Sequence, residues 1–437
     1  MATGISRRRF IKGAATALAV PTLIAGRAFG AEGTVAPSNR VGLGFVGCGA
    51  MNGGHMSRFI EMPDVHIAAV CDVNAQKRQE RRAMIEERYA QDGGQGSYAG
   101  CKDYNDFRDL IADENVDAVV VATPDHWHTL SALAAVRAGK DVYLEKPMTL
   151  TIEEGRVLAD EVKRTGRVLQ VGSHQRSTPD FHHAVELVRN GRIGALRTIE
   201  VGIHAGYTSG DCSEEPVPDY FDYDFWLGQA PWAPYCAARC MGVRPWMYIS
   251  DYSGGRITEW GSHHLDIAQW ALDADGTGPL EIEGTGAYPK SGLMNTAITW
   301  RVEMRYASGV TVLFTDNRQC AQGVKFIGDD GWVFVNREEI RAEPAEVLDS
   351  VIGPDETLLR TSGDHRRNFL DCIRSREATV CTAEIGHRTA TACHLANICV
   401  KLGRKLRWDP ARERFIDDAE ADALISRKMR APWSLQA

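Results

Sequence analysis

The stretch "SNRVGLGFVGCGAMNGGHMSRFI", residues 38–60, sets the reading of the fold. Val41 to Val46 reads as a short apolar strand, Gly47 to Gly54 as a glycine-rich turn, and a helix starts from His55 onward. A strand, a turn whose Gly47-Cys48-Gly49 leaves no Cβ in the way, and a helix N-terminus together make a place for a phosphate. The third position of G-x-G-x-x-G falls on Asn52, with Gly53 and Gly54 next, so the motif departs from its usual form. Outward from this stretch, "VHIAAVCDV" (65–73) is a second apolar strand ending in Asp72, 25 residues past Gly47 and close to the expected spacing of about 20. A carboxylate there accepts hydrogen bonds from both hydroxyls of an adenosine ribose and repels a 2′-phosphate, which favours NAD over NADP. Gly47, Gly49, Ala50, Met51 and Asp72 are the expected dinucleotide contacts.

The alternation continues. A helix-favouring run spans 75–89, "QDGGQGSYAG" is a loop, "VDAVVVATP" (116–124) a buried strand, "HTLSALAAVRAGK" a helix and "DVYLEKP" another strand. A helix over 152–165 and a strand over 167–176 follow. Strands alternating with helices indicate a parallel sheet with right-handed crossovers. From about 195 the texture changes to strand-like runs, with two late helices near 364–375 and 384–403. The expected architecture is α/β: a Rossmann domain over 40–165 and an α+β domain with a largely antiparallel open sheet over 166–415. Residues 1–31 form a leader and 416–437 a polar tail.

Bulk properties exclude several classes. The 437 residues carry a formal charge of -8 and are 44% hydrophobic and 25% charged, a soluble globular composition without the basic patches nucleic acid demands. No segment of the mature chain approaches about 18 uninterrupted apolar residues, so no membrane span is expected. The N-terminus matches S-R-R-x-F-hydrophobic-K from Ser6 to Lys12, then an apolar stretch and a small-residue end near Gly30 and Ala31. This resembles a twin-arginine export signal and predicts a periplasmic location and the twin-arginine machinery as a partner. The 11 cysteines, an odd number without framework spacing, read as largely free thiols. That route exports proteins already folded, which free buried thiols fit.

Chemistry concentrates in three motifs: "TPDHWH" (123–128), "EKP" (145–147) and "GGRITEWGSHHLDIAQW" (254–270). In this order and spacing they resemble the glucose-fructose oxidoreductase / inositol dehydrogenase family, Gfo/Idh/MocA, over residues 40–415. The resemblance implies an NAD(P)-dependent oxidoreductase acting on CH–OH groups. Lys146 would position the substrate hydroxyl and move its proton, Glu145 would stand near the nicotinamide ribose, and Pro147, often cis, would aim the lysine. A lysine is a poor base at its free pKa and a better one partly buried beside other cations. Glu259 and His263 form the partner pair at i, i+4, with Glu where the family pattern has Asp. Thr123, Pro124, Trp127, His128 and Gln175 join the cofactor set, and His126 to His128 wall the nicotinamide pocket. Arg176, His204 and Trp246 join Lys146, Glu259 and His263 in the substrate set. His264 and Asp266 read as catalytic neighbours or as structural residues. No metal is assigned: Glu259 and His263 alone do not make a site, and Cys236 and Cys240 read as loop packing. His387, Cys393 and His394 read as core.

The aromatic stretches "DYFDYDFWLGQAPWAPY" and "VRPWMYISDYSGG" suit either a sugar ring or a subunit interface. The substrate is then a secondary hydroxyl of a sugar, glycoside or polyol. Because free NAD is scarce outside the cytoplasm, the cofactor is expected to stay tightly bound. The other readings are an NAD-dependent glycosidase working through a 3-keto sugar and a non-catalytic sugar or dinucleotide sensor. Resemblance also predicts a homo-oligomer, dimer or tetramer, built through the open sheet.

Overall fold

A computed structural model describes residues 39–93, 100–242 and 244–436. The expected export signal and most of the loop expected at 91–100 lie outside the described residues. Six strands form the first sheet: β1 (Val41–Val46), β2 (Val65–Cys71), β3 (Lys102–Tyr104), β4 (Ala118–Val121), β5 (Asp141–Leu144) and β6 (Leu169–Val171). They are all parallel, in the order β3-β2-β1-β4-β5-β6. β1, β4 and β5 are buried at every residue, which is why β1 and β4 are unbroken apolar runs and not alternating ones, while β5 opens on the buried Asp141. The helices that cross over are α1 (Ala50–Phe59), α2 (Ala75–Gly93), α3 (Phe107–Ala112), α4 (His128–Arg137) and α5 (Ile152–Thr165). The order reverses between β1 and β4, so a crevice opens at the carboxyl ends of these strands.

Several boundaries differ from the sequence reading. α1 begins at Ala50, not His55, because only Gly47 and Gly49 are needed for the turn; Gly53 and Gly54 are already helical. The strand expected over 167–176 shortens to β6, and the limit set at 165 leaves this last strand of the first sheet outside its domain. α5 is found over the residues expected; Thr151 caps it and Gly166 ends it in the left-handed region.

After α6 (Pro179–Arg189), the second sheet has nine strands: β7 (Leu196–Ile203), β8 (Glu281–Ala287), β9 (Thr299–Arg305), β10 (Thr311–Asp316), β11 (Gly323–Gly328), β12 (Trp332–Val335), β13 (Ile340–Glu343), β14 (Leu406–Asp409) and β15 (Arg414–Phe415). Their order is β13-β12-β11-β7-β10-β9-β8-β14-β15, parallel only at β7–β10. In β9, Trp300, Val302 and Met304 turn inward and alternate with Arg301, Glu303 and Arg305. The inner face packs on α6, α7 (Gly261–Ala271) and α9 (Ala383–Leu402).

α8 (His365–Ser375) comes late in the chain yet places Phe369 and Leu370 in the core of the first sheet with Leu43, Phe45 and Phe59. Residues 416–437, set apart as a tail by their polarity, are also packed. Trp433 stands 4.8 Å from the Trp127 ring, and Arg430 Nε donates to Gly228 O at 2.8 Å. The polar residues of this segment hide three apolar anchors, Met429, Trp433 and Leu435. No helix among the described residues is long and apolar enough to cross a membrane.

Candidate active site

At the end of β1, Gly47 adopts φ +92, and a Cβ there would meet Ala122 O at 2.7 Å, so only glycine fits. Gly49 has nothing within 4 Å of a notional Cβ, which leaves open space in front of the α1 N-terminus. The Asn52 departure has a structural reason. Its side chain is fully buried, and Nδ2 donates to Gly47 O (2.7 Å) and Val46 O (2.9 Å), stapling the turn to the helix. Close packing passes to Gly53, whose notional Cβ would stand 2.9 Å from the Arg81 guanidinium. Asp72 Oδ2 accepts from Cys48 N at 2.7 Å and Oδ1 from Asn74 N at 2.8 Å, which aims the carboxylate at the turn. Each oxygen retains acceptor capacity for a ribose hydroxyl.

A cavity of about 330 Å³ runs from this turn to the ends of β4 and β5. Gly47, Gly49, Ala50, Met51, Asp72, Thr123, Pro124, Trp127, His128, Glu145 and Lys146, all expected at the cofactor site, line it, as do Glu259 and Trp246. Open space at Gly49, a free helix N-terminus and the Asp72 carboxylate fit a dinucleotide.

Lys146 follows β5, and the Lys146–Pro147 peptide is cis. Its Nζ lies 2.6 Å from Glu259 Oε2, and both side chains are more than nine-tenths buried. The expected cationic surroundings are not what the structure shows. Burial disfavours the ammonium, but Glu259, Glu145 and Asp125 outweigh it and hold its pKa above the usual lysine value. Lys146 is therefore a cation that donates, with Glu259 as the acceptor beside it.

Glu145 is fully buried, which opposes its charge. Contacts from His174 (3.6 Å) and His55 (Nε2 to Oε1, 2.9 Å) overcome this and keep the carboxyl well below the usual range. Arg366 Nε of α8 donates to His55 Nδ1 at 2.9 Å, so the single proton of the neutral ring sits on Nε2 and is given to Glu145. Gly172 leaves the room, since a Cβ there would stand 2.7 Å from Glu145 Oε1. Donor atoms of His55, Glu145 and His174 lie within 4.8 Å of one another. The proton on His55 Nε2 makes this a hydrogen-bond network, because a metal would need that lone pair. His55→Ala should lower unfolding free energy in urea by about 2–4 kcal/mol, as Glu145 would stay buried without its main donor. Adding Glu145→Gln should recover much of that loss, and an unchanged urea midpoint in His55→Ala would refute the network.

His263, on α7, is fully buried and its Nδ1 has no hydrogen-bond partner. Burial, then the charges of Lys146 and Arg337, push its imidazole well below the ordinary value, so it is neutral. It does not line the cavity itself. Gln175, expected at the cofactor, is buried outside the cavity; its amide donates to His263 O (2.8 Å) and accepts from Arg337 Nε (3.3 Å). Arg176 is a correction. It is 1% exposed, held in paired bonds by Asp266 (2.8 and 2.9 Å) and Asp275 (2.7 and 2.9 Å), stacked on Trp270, and outside the cavity lining, so its charge is spent inside the fold. Asp266 is thereby structural. His204 ends β7 against Trp260, outside the cavity lining. His264 Nδ1 bonds Gly202 O (3.1 Å), His387 pairs with Glu413 (2.8 Å) and His394 with Thr149 O (3.0 Å). His126 Nε2 and Trp127 Nε1 share Trp226 O, each at 2.9 Å.

The aromatic stretches contribute to the cavity wall. Residues 204–252 fold back as a strap across the dinucleotide groove. Ala75 N donates to Tyr220 O (2.8 Å), Asp222 N to Val73 O (3.0 Å) and Asn105 Nδ2 to Asp222 Oδ2 (2.9 Å). Phe221, Phe225 and Trp226 line the cavity from this side. A disulfide, Cys212–Cys236, braces the strap, a pairing that 24 residues of separation hid; the other described cysteines are free and mostly buried. Two site residues were passed over in the sequence. His55 carried no signal of its role, whereas Asp125, the one carboxylate of "TPDHWH", did.

The chain belongs to the Gfo/Idh/MocA oxidoreductase family: the family's NAD-binding Rossmann-fold model matches residues 41–173 and its C-terminal alpha/beta domain model residues 182–435. An uncharacterized oxidoreductase, YrbE of Bacillus subtilis, is 22% identical over 82% of this chain and 94% of its own. Myo-inositol 2-dehydrogenase of Thermotoga maritima is 24% identical over 67% and 75%. Among solved structures, GenD2 from gentamicin A biosynthesis in complex with NAD superposes with a TM-score of 0.61 at 20% identity, over 86% of this chain and 98% of that one. Aldose-aldose oxidoreductase of Caulobacter crescentus gives 0.60 at 20%, over 84% and 99%. At these identities the structures show a shared fold.

Proposed function

We propose that this oxidoreductase uses NAD to oxidise a secondary hydroxyl of a sugar, glycoside or polyol, and that it keeps the cofactor bound through the cycle. The observation that carries the reading is the buried Lys146–Glu259 pair, 2.6 Å apart, at the strand end of a cavity that continues to the glycine turn. Relatives named for inositol dehydrogenation support a polyol substrate. NAD, when bound, supplies the hydride acceptor. Lys146 donates to the hydroxyl oxygen and stabilises the alkoxide as it forms, and Glu259 beside it receives the proton. Glu145, held anionic by His55, adds a fixed negative charge at the same end of the cavity.

Asp72 supports NAD over NADP. Asp72→Ala should weaken NAD binding about tenfold or more and narrow the preference over NADP, as read by calorimetry with both nucleotides. The strap supports retention, because a bound dinucleotide could not leave without breaking its bonds to β2 and α2. The motif from Ser6 to Lys12 supports twin-arginine export, and the braced strap suits an oxidising compartment. The outer face of the second sheet supports a homo-oligomer, dimer or tetramer, which light scattering on the purified protein would count.

The test is protein purified after native export, denatured to release small molecules, and assayed with sugars, polyols and aryl glycosides. Stoichiometric NAD that one sugar class reduces is expected. An empty protein refutes retention; bound NAD that nothing reduces favours the sensor. Release of an aryl group without net reduction favours the glycosidase.

A further inference from the structure

Asp125 stands in the short helical turn Asp125–Trp127 after β4, 1% exposed, and lines the same cavity as Lys146 and Glu259. Its carboxyl faces Ser253 and Glu259, and neither oxygen makes a hydrogen bond of good geometry with a described group. The local fold does not depend on it. The turn is closed by backbone bonds, Trp127 N to Pro124 O (2.9 Å) and His126 N to Tyr252 O (3.2 Å), and no side chain caps it. A buried carboxyl without partners costs stability, and an apolar side chain would serve packing better. Its persistence inside a ligand cavity points to a partner that arrives with the ligand.

Burial, then the charge of Glu259, raise its pKa well above the carboxylate range, against the opposing pull of Ser253 and Lys146. When protonated it has one O–H to donate, and in either state it has lone pairs to accept. Glu259 touches Lys146 on one side and faces Asp125 on the other. Two hydrogen-bonding stations thus flank one carboxylate, and neighbouring hydroxyl oxygens on a sugar ring are about one hydrogen-bond length apart.

We propose that Asp125 binds the hydroxyl next to the one oxidised, so that Asp125 and the Lys146–Glu259 pair together select vicinal diols over isolated secondary alcohols. The inference rests on the sugar or polyol reading above and names the feature of the substrate that this site reads.

The test uses NAD-loaded holoenzyme, wild type, Asp125→Ala and Asp125→Asn, with myo-inositol, D-glucose and the monodeoxy analogues of each. In wild type, loss of the hydroxyl at one adjacent ring position should lower kcat/KM about 100-fold. Asp125→Ala should turn over the parent sugar no faster than its deoxy analogue, and Asp125→Asn, which still hydrogen-bonds, should keep part of the discrimination. NAD content should be unchanged in both variants. Should the alanine variant not fold, the asparagine variant alone must show a reduced ratio. Wild-type discrimination persisting in a folded Asp125 variant overturns the proposal. So does loss of NAD without loss of discrimination, which would place Asp125 on the cofactor. Wild type that reduces no cofactor with any of these compounds overturns the polyol reading and this inference with it; activity without the coupling overturns the inference alone.

Discussion

Replacing Lys146 by Met lowers turnover by about 10²–10⁴-fold while NAD stays bound. Methionine keeps much of the side-chain length and fills the buried space, so geometry is held while the charge and all three donors are lost. In the proposed mechanism, what disappears is the donor to the hydroxyl oxygen and, with it, the cation that steadies the alkoxide. Glu259 is left buried without its 2.6 Å partner. Removal of one member of such a pair costs about 3–5 kcal/mol, so Lys146→Met should also unfold at lower urea, and Lys146→Met with Glu259→Leu should recover stability but no activity. Lys146→Arg should not rescue turnover, because a planar guanidinium cannot replace a compact ammonium in a closed site. Stopped-flow reduction of bound NAD separates the effects. A Lys146→Met protein reducing NAD within tenfold of wild type would remove the lysine from the chemistry.

Acidification from about pH 7 to about pH 5 lowers the protein's stability by about 5 kcal/mol. Burial pushes His126, His264 and His394 down to about 4 and His365 to about 3, so all four are neutral in the fold. In the unfolded chain each titrates near 6.5. Below that value the unfolded state binds more protons, and stability falls with pH until the folded values are reached. Glu154 opposes this. Burial raises its carboxyl to about 7, so the folded state holds a proton that the unfolded state gives up above 4.5; its contribution is complete below 4.5 and lost as pH rises through 7. Four histidines against one glutamate leave a net difference of about three protons near pH 5.5, a slope of about 4 kcal/mol per pH unit. The difference is only about half a proton at pH 7, so the loss summed from pH 7 to pH 5 is about 5 kcal/mol, enough by itself to unfold a protein at the low end of the usual range of about 5–15 kcal/mol. Urea unfolding followed across this range reads the slope directly, and a flat profile between about pH 7 and pH 5.5 would show that these imidazoles are not neutral in the fold.

The sequence by itself determined the two sheets, the strand–turn–helix that receives a dinucleotide, and the placing of Lys146 and Glu259 at one site. Those signals are local. Buried parallel strands must be continuous apolar runs, a phosphate turn must drop its Cβ atoms, and residues at strand ends face the crevice whatever packs beyond them. Only the tertiary structure decided which charged groups meet. Arg176 reads as a substrate ligand until Asp266 and Asp275, some 90 and 99 residues away, bury it in paired ion contacts. Lys146 was expected among cations and lies among acids, since Glu259 and Asp125 come from other elements. His55 stabilises Glu145 from 90 residues away, and Arg366, which sets its tautomer, is 311 residues further on. The strap at 204–252 reads as aromatic surface because nothing local says that α2 will cover it. Electrostatic environment and hydrogen-bond partnership are sums over neighbours in space, so a pattern of residue types along the chain names the actors and leaves their charge states to the fold.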